Sequence, residues 1–324
     1  MERPDLRDRS RPGDTVEAAA RALSRGALVI LPTETVYGLA ADATDGAAVA
    51  RIYAAKGRPS FNPLIVHVLD TAAAEALGVF DTKARALAAA HWPGPLTLVV
   101  PLRADANIAS LVTAGLPSIA LRVPAHRAMR ALLAATARPL AAPSANASGG
   151  LSPTCAAHVA RSLDGRIALI IDDGPSPFGL ESTIVAATGG PLRLLRPGPI
   201  LVAGAVAIVP KVFDGIEAPG QLANHYAPSK PLRLDATEAA PDEYWIGFGA
   251  IAGDANLSAT GDTTEAAAQL FARLHEADAS AQARIAVAPI PSEGLGVAIA
   301  DRLRRDHADR FADVDRGAAG KVTT

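Results

Sequence analysis

The stretch from Leu31 to Val68 constrains this chain most, because a hydrophobic core alone does not require its combination of residues. It opens Leu31-Pro32-Thr33-Glu34-Thr35-Val36-Tyr37-Gly38-Leu39-Ala40 and then reads as a helix through Ala55. Lys56-Gly57-Arg58-Pro59-Ser60-Phe61-Asn62-Pro63 follows, and then an apolar strand, Leu64-Ile65-Val66-His67-Val68. No acidic residue lies between Arg51 and Leu69, whereas Arg51, Lys56, Arg58 and His67 are all basic. Gly57 stands where a helix should end, and Pro59 and Pro63 stiffen the loop beyond it. Two cations on a braced loop suit a polyphosphate, Lys offering a compact charge and Arg a planar fork. Asn62 adds an amide that can orient a nucleobase or sugar. Spacing alone supports a second reading equally well, a solvated helix end whose basic residues answer the helix dipole.

With 324 residues the chain has room for two domains of ordinary size. Apolar residues make up 49% and aromatics only 4%, so the core should pack small side chains rather than aromatic clusters. The net charge of −2 implies no global attraction to nucleic acid or acidic membrane, and no stable direct nucleic-acid binding is expected. The one cysteine, Cys155, excludes an intrachain disulfide and a multi-cysteine zinc site, and it reads as a small buried residue on a helix. Residues 1–14 lack an apolar signal core, and the longest apolar run, 200–210, is well short of the ~20 residues that span a bilayer. A soluble, cytoplasmic protein is the expectation.

In chain order, residues 1–13 read as a disordered lead-in. Asp14 and Glu17 resemble a capping box for a helix that runs to Gly26, and 27–31 reads as a buried strand. Glu34, at that strand's end, serves either as a ligand contact or as a structural acceptor, and both readings stand. His67 follows the basic loop directly, which favours a ligand contact. Helices are expected at 71–78 and 81–91, then the Trp92-Pro93-Gly94-Pro95 turn and a strand at 96–100. Arg122, inside the apolar strand 119–124, needs a partner or a ligand. A helix at 126–135 leads to Leu140-Ala141-Ala142-Pro143-Ser144-Ala145-Asn146-Ala147-Ser148-Gly149, whose small residues allow close backbone approach.

Ser152, before Pro153, should cap a helix that runs to Leu163, and 166–171 reads as a strand. Asp172, Asp173 and Glu181 are carboxylates at strand ends, more suited to solvation or capping than to magnesium. No metal ligands are assigned. Residues 210–231 read as a linker, and from Leu232 onward strands at 244–248 and 284–288 alternate with helices at 264–276 and 296–306. No P-loop signature is present.

Four blocks in order resemble the YrdC-type threonylcarbamoyl-AMP synthases. The first runs from Pro32-Thr33-Glu34-Thr35-Val36-Tyr37-Gly38-Leu39 to Lys56-Gly57-Arg58-Pro59 and Asn62-Pro63-Leu64-Ile65-Val66-His67. The second is 140–149, the third Gly179-Leu180-Glu181-Ser182-Thr183-Ile184-Val185, and the fourth Leu194-Leu195-Arg196-Pro197-Gly198. The resemblance spans about 28–231, and 218–228 is similar to the linker of the long, two-domain members. It implies an α/β fold, a YrdC-like twisted mixed sheet with flanking helices, over 14–209. The polar His225-Tyr226-Ala227-Pro228 between Pro and Gly neighbours leads to the expectation that the linker at 210–231 closes as a lid, and a smaller Rossmann-like α/β domain is expected over 232–324.

The implied reaction converts L-threonine, bicarbonate and ATP to threonylcarbamoyl-AMP and pyrophosphate, for modification of tRNA by a downstream threonylcarbamoyl transferase. By the same resemblance Lys56 and Arg58 are catalytic and hold phosphates. Arg58, Asn62, Thr113, Ser144, Asn146, Ser152, Arg196 and Tyr226 bind ATP, while Thr35, His67, Arg122, Ala142 and Ser182 bind L-threonine. Mg2+ is expected with ATP, without dedicated protein ligands. Departures from the pattern are Gly150-Leu151 where many relatives carry Arg-Pro, and Gln221-Leu222-Ala223 in the linker. Two other functional classes stand beside this one. One is an RNA-binding module using the same basic groove without catalysis, which the near-neutral charge and scarce aromatics disfavour. The other is a relative acting on carbamoyl phosphate, whose zinc-binding cysteine motifs this chain lacks.

Overall fold

The computed structural model describes residues 12–163, 165–167, 169–207, 216–219 and 226–305. Two compact units separate between Gln221 and Leu222, with Gly149–Leu151 grouped with the second. The lead-in up to residue 11 and most of the expected linker and lid, including 208–215 and 220–225, lie outside the described residues.

In the first unit α1 (Pro12–Ser24) leads into a hairpin of β1 (Val29–Pro32) and β2 (Tyr37–Asp42), and then α2 (Gly46–Lys56). β3 (Ile65–His67), α3 (Thr71–Glu75), α4 (Thr82–His91), β4 (Leu96–Pro101) and α5 (Ser110–Thr113) follow. Next come β5 (Ser118–Arg122), α6 (Arg127–Thr136), β6 (Leu140–Ala141) and α7 (Ala156–Leu163). The unit ends with β7 (Leu169–Ile170), β8 (Thr183–Ala186), β9 (Arg193–Arg196) and β10 (Val206–Ala207). These strands form one mixed sheet in the order β10-β9-β8-β4-β5-β3-β6-β2-β1-β7. Its two faces bury different residues of the same strands. Ile30 packs with Leu39, Ile52, Leu98 and Leu121 on one side, and Val29 and Leu31 with Met129 and Leu132 on the other.

Local chemistry sets several element ends. Asp45 caps α2 by accepting from Ala47 N (2.9 Å) and Ala48 N (3.1 Å), and Gly57 closes it with φ 60°. His126 caps α6 through Nδ1, which accepts from Ala128 N at 3.2 Å. Elsewhere the sequence expectations need correction. α1 begins at Pro12, so Asp14 lies inside the helix rather than capping it, and proline at the first helical position suits the free amide end. Strand 166–171 shrinks to Leu169–Ile170, and helix 71–78 to Thr71–Glu75. Ser152 is not a cap, because α7 starts only at Ala156; Cys155 sits just before that helix and is only partly buried. β2 was not expected at all. All six of its residues are buried, and a strand covered on both faces has no alternation to read.

The second unit contains β11 (Leu232–Arg233), β12 (Glu243–Gly247), β13 (Ala255–Asn256), α8 (Thr263–Ala279), β14 (Arg284–Val287) and α9 (Leu295–Arg304). Its four strands are all parallel, in the order β11-β14-β12-β13. α8 buries Leu270, Phe271 and Leu274. Tyr226 has φ 74° and is buried here, with the Arg302 guanidinium 5.1 Å above its ring and Phe271 6.2 Å away. Among the described residues no helix is long and apolar enough to cross a membrane.

Candidate active site

Lys56 and Arg58 are buried, 3% and 7% exposed, which removes the reading of a solvated helix end. Lys56 Nζ donates to the Ser144 carbonyl at 2.6 Å and to that of Asn146. The last residue of α2 thereby holds the small-residue loop after β6. Burial, and then the neighbouring Arg58 charge, press the Lys56 ammonium well below the ordinary lysine value. Arg58 folds back on its own loop. Its Nε donates to Asn62 O at 3.2 Å, and its Nη2 to Asn62 Oδ1 (2.6 Å) and Pro63 O (2.8 Å). From α2, Tyr53 Oη reaches Asn62 O at 3.0 Å and Leu111 O at 2.8 Å. That contact ties the basic loop to α5, where Thr113 is buried and bonds Ser110 O at 3.3 Å. Arg58 and Asn62 thus form one bonded group that Tyr53 joins to α5, while Lys56 separately holds the loop of Ser144 and Asn146.

A second group forms around the turn between β1 and β2. Thr33 Oγ1 accepts from Thr35 N and Val36 N, both at 3.2 Å, and lies 2.8 Å from Thr35 Oγ1. Arg122 reaches the same turn with Nη1 2.9 Å from Thr35 Oγ1 and Nη2 2.6 Å from Glu34 Oε1, while its Nε donates to Gly94 O at 3.2 Å. Glu34 is thus the partner that a buried arginine needs, and its Oε2 also accepts from His126 N at 3.3 Å. Burial raises the Glu34 carboxyl, but the charge and hydrogen bond of Arg122 outweigh it and the net shift is downward.

His67 pairs with Arg122 in the parallel β3–β5 register, so both side chains share a sheet face. Neither His67 nitrogen has a hydrogen-bond partner, although the residue is only 3% exposed. Burial, reinforced by the Arg122 charge, lowers its pKa to about 3. Buried polar atoms without a partner are rare in folded proteins, which makes His67 a candidate ligand contact. Ala142 donates its amide to Ile65 O at 3.0 Å, beside β3.

The third group gathers where β8 begins. Ser182 Oγ lies 2.7 Å from Thr97 Oγ1, and Arg196 donates to it through Nη2 and to the Ser182 carbonyl through Nε, both at 3.1 Å. Gly198 explains the end of the fourth block. A Cβ there would lie 2.4 Å from Thr183 N and 2.7 Å from Glu181 O, so only glycine lets this turn press on the backbone that carries Ser182.

Ser152 hydrogen-bonds Glu181. Asp173 is paired with Arg127, and Asp172 accepts from Tyr37 Oη at 3.2 Å. The three carboxylates considered for magnesium are each tied to a different protein group. Tyr226 alone of the expected site residues lies in the second unit. Sequence reading missed Tyr53, Thr97 and Gly94. Tyr53 is the one aromatic residue of an alanine-rich helix and Thr97 the one hydroxyl of an apolar strand, faint signals in both cases.

A family model described as "Telomere recombination" (Sua5, YciO and YrdC) matches residues 21–198. Another, "Threonylcarbamoyl-AMP synthase, C-terminal domain", matches 202–306. The threonylcarbamoyl-AMP synthase of Pyrococcus abyssi is 38% identical over 328 residues, covering 92% of this chain and 96% of the relative. That of Bacillus subtilis is 45% identical over 249 residues, covering 74% and 71%. Among solved structures, P. abyssi Sua5 complexed with L-threonine superimposes with a TM-score of 0.82 at 36% identity, covering 90% of this chain and 93% of that one.

Proposed function

We propose that this chain, which belongs to the Sua5–YciO–YrdC family in its two-domain form, works as the threonylcarbamoyl-AMP synthase that its relatives are named for. The observation that carries this is the full-length match to the P. abyssi enzyme, 38% identical over 96% of its length. It favours catalysis over RNA binding alone. The reaction joins L-threonine, bicarbonate and ATP into threonylcarbamoyl-AMP with release of pyrophosphate. Cytoplasmic action, and delivery of the product to a tRNA-modifying transferase, belong to the same reading.

The chemistry follows from the three groups. Threonine's neutral amine captures carbon dioxide with loss of a proton, or bicarbonate with loss of water, to give a carbamate. A carbamate oxygen then attacks the α-phosphorus, and pyrophosphate leaves in line. Arg122 offers fixed donors for the amino acid's oxygens with Thr35 held against it, and His67, neutral across the physiological range, completes that half with Ser182 and Ala142. Water is excluded by burial, since Thr35, His67, Arg122 and Ser182 are each at most 3% exposed. Negative charge accumulating on phosphoryl oxygens needs cations. Lys56 spends two of its three donors on the loop that bears Ser144 and Asn146. A polyanion arriving beside it favours the ammonium form, because an opposite charge favours protonation. Arg58, Asn62, Thr113, Ser152 and Arg196 supply the remaining nucleotide contacts. Magnesium enters as part of the nucleotide substrate, and Asp172, Asp173 and Glu181 are already engaged and provide no ready ligand set for it. Threonine-dependent pyrophosphate release from ATP tests the reading.

A further inference from the structure

Asn62, in the basic loop, is wholly inaccessible, at 0% exposure. Its amide is asymmetrically engaged. Oδ1 accepts from Arg58 Nη2 at 2.6 Å, whereas Nδ2 is buried and makes no hydrogen bond. Arginine can only donate, so the oxygen must face Arg58 and the NH2 must face the other way. The backbone is fixed with equal strictness. The Asn62 carbonyl accepts from Arg58 Nε at 3.2 Å, and Tyr53 Oη, which has one proton to share between two carbonyls, lies 3.0 Å from it. The same Tyr53 hydroxyl lies 2.8 Å from Leu111 O, at the start of the segment that carries Thr113.

We propose that Tyr53 is a positioning residue for nucleotide binding, which together with Arg58 locks Asn62 as a donor-only contact to an acceptor atom of the nucleotide. This rests on the functional reading above and extends it. An amide free to turn would offer its oxygen to a ligand donor as readily as its nitrogen to an acceptor; this one presents only N–H. A buried donor without a partner costs stability in the empty protein, and a nucleotide acceptor repays that cost on binding. The acceptor is either a phosphoryl oxygen or an atom of the adenosine moiety, and both have the chemistry that an N–H demands.

Three variants of the full chain test the proposal, with ATP, pyrophosphate, adenosine and L-threonine titrated separately by calorimetry. Asn62→Asp keeps an oxygen for Arg58 and replaces the ligand-facing N–H with an acceptor. It should stay folded and lose ATP affinity by about 100-fold, while L-threonine affinity holds. Loss of pyrophosphate affinity would place the acceptor on the phosphates, and loss of adenosine affinity would place it on the nucleoside. Tyr53→Phe, which removes a single oxygen, should weaken ATP about tenfold and leave L-threonine unchanged. In the double variant Tyr53→Phe should add nothing to Asn62→Asp, because residues that act through one another are not additive. ATP affinity within about threefold of wild type in Asn62→Asp overturns the donor assignment. Equal loss of both ligands in Tyr53→Phe, or full additivity in the double variant, reduces Tyr53 to a structural residue. Wild-type protein that binds ATP but forms no threonylcarbamoyl-AMP would count against the enzymatic reading while leaving these binding outcomes to judge the lock.

Discussion

Arg122 places its Nη2 2.6 Å from Oε1 of Glu34, and the two side chains are 4% and 5% exposed. The turn between β1 and β2 is thereby fastened to the last residue of β5, and two groups assigned to L-threonine, Thr35 and Arg122, are held in contact. Removing one partner leaves a buried charge uncompensated, a loss of about 3–5 kcal/mol. Glu34→Gln should therefore lower stability at neutral pH by an amount of that order. Because the Glu34 carboxyl titrates below its ordinary value, its contribution is present above the carboxylate range and is lost as pH falls through the folded value. In the variant that acid limb should flatten. Denaturant midpoints at pH 7 and at pH 4 and below would show both effects, and an unchanged midpoint at pH 7 would deny the pair its role.

His67 gives a pH dependence at higher values. Its folded pKa of about 3 lies under the ordinary 6.5, so the unfolded chain takes up the proton first. Stability is full above about pH 6.5 and declines as pH falls from there toward about 3. His67→Gln should remove that decline while weakening L-threonine binding. Chemical denaturation in half-unit steps across this interval, with wild type and variant side by side, measures it. Coincident curves would contradict the assignment of a buried neutral imidazole.

Lys56 carries both structure and chemistry. Lys56→Ala frees the carbonyls of Ser144 and Asn146 and deletes a cation proposed to meet the phosphates. Turnover should fall by ~2.7–4 kcal/mol in barrier terms, roughly 100- to 1000-fold, with a reduced melting temperature. Single-turnover product formation alongside a melting curve checks both, and near wild-type turnover by a folded variant would reject Lys56 as a charge stabiliser.

Substrate choice tests the group at Thr35, Arg122 and Ser182. If a buried polar group meets threonine's hydroxyl, 2-aminobutyrate leaves that group unpaired and should be rejected strongly. Serine keeps the hydroxyl and loses a methyl, and should be disfavoured by only ~1–3 kcal/mol. Competition between the three amino acids, read as kcat/KM, decides. Equal use of threonine and 2-aminobutyrate would remove the hydroxyl contact.

Gly198 offers a test through backbone alone. A Cβ there must displace the chain between Glu181 and Thr183, and so Ser182. Gly198→Ala should cost L-threonine affinity about tenfold, a shift of roughly 1.4 kcal/mol. Calorimetric titration with L-threonine reads it directly, and unaltered affinity would show that the turn has room to give.

How much of this was legible in the sequence varies by residue. The end of the helix at Gly57 could be read from the glycine itself, because capping is local chemistry, whereas its Asp45 cap went unread. That Arg122 needs a partner was also legible, but not that Glu34 supplies it, since the β1–β2 turn and the end of β5 meet only through the sheet. Lys56 was expected to face phosphates; its attachment to Ser144 and Asn146 depends on where the β6 loop is laid, which no local pattern encodes. β2 escaped notice because burial on both faces erases alternation. Tyr53 escaped because a tyrosine in a helix looks like core until its hydroxyl is seen between two carbonyls. Ser152 misled for the opposite reason: serine before proline is a good local cap signal, and a tertiary contact with Glu181 won.

The central claim is the reaction itself. Mass spectrometry of mixtures that omit L-threonine, bicarbonate or ATP in turn, with pyrophosphate measured in parallel, tests it most directly. A product with the mass of threonylcarbamoyl-AMP should form only when all three are present, with an equal amount of pyrophosphate. Pyrophosphate released at the same rate without L-threonine, or no adduct in the complete mixture, would contradict the account.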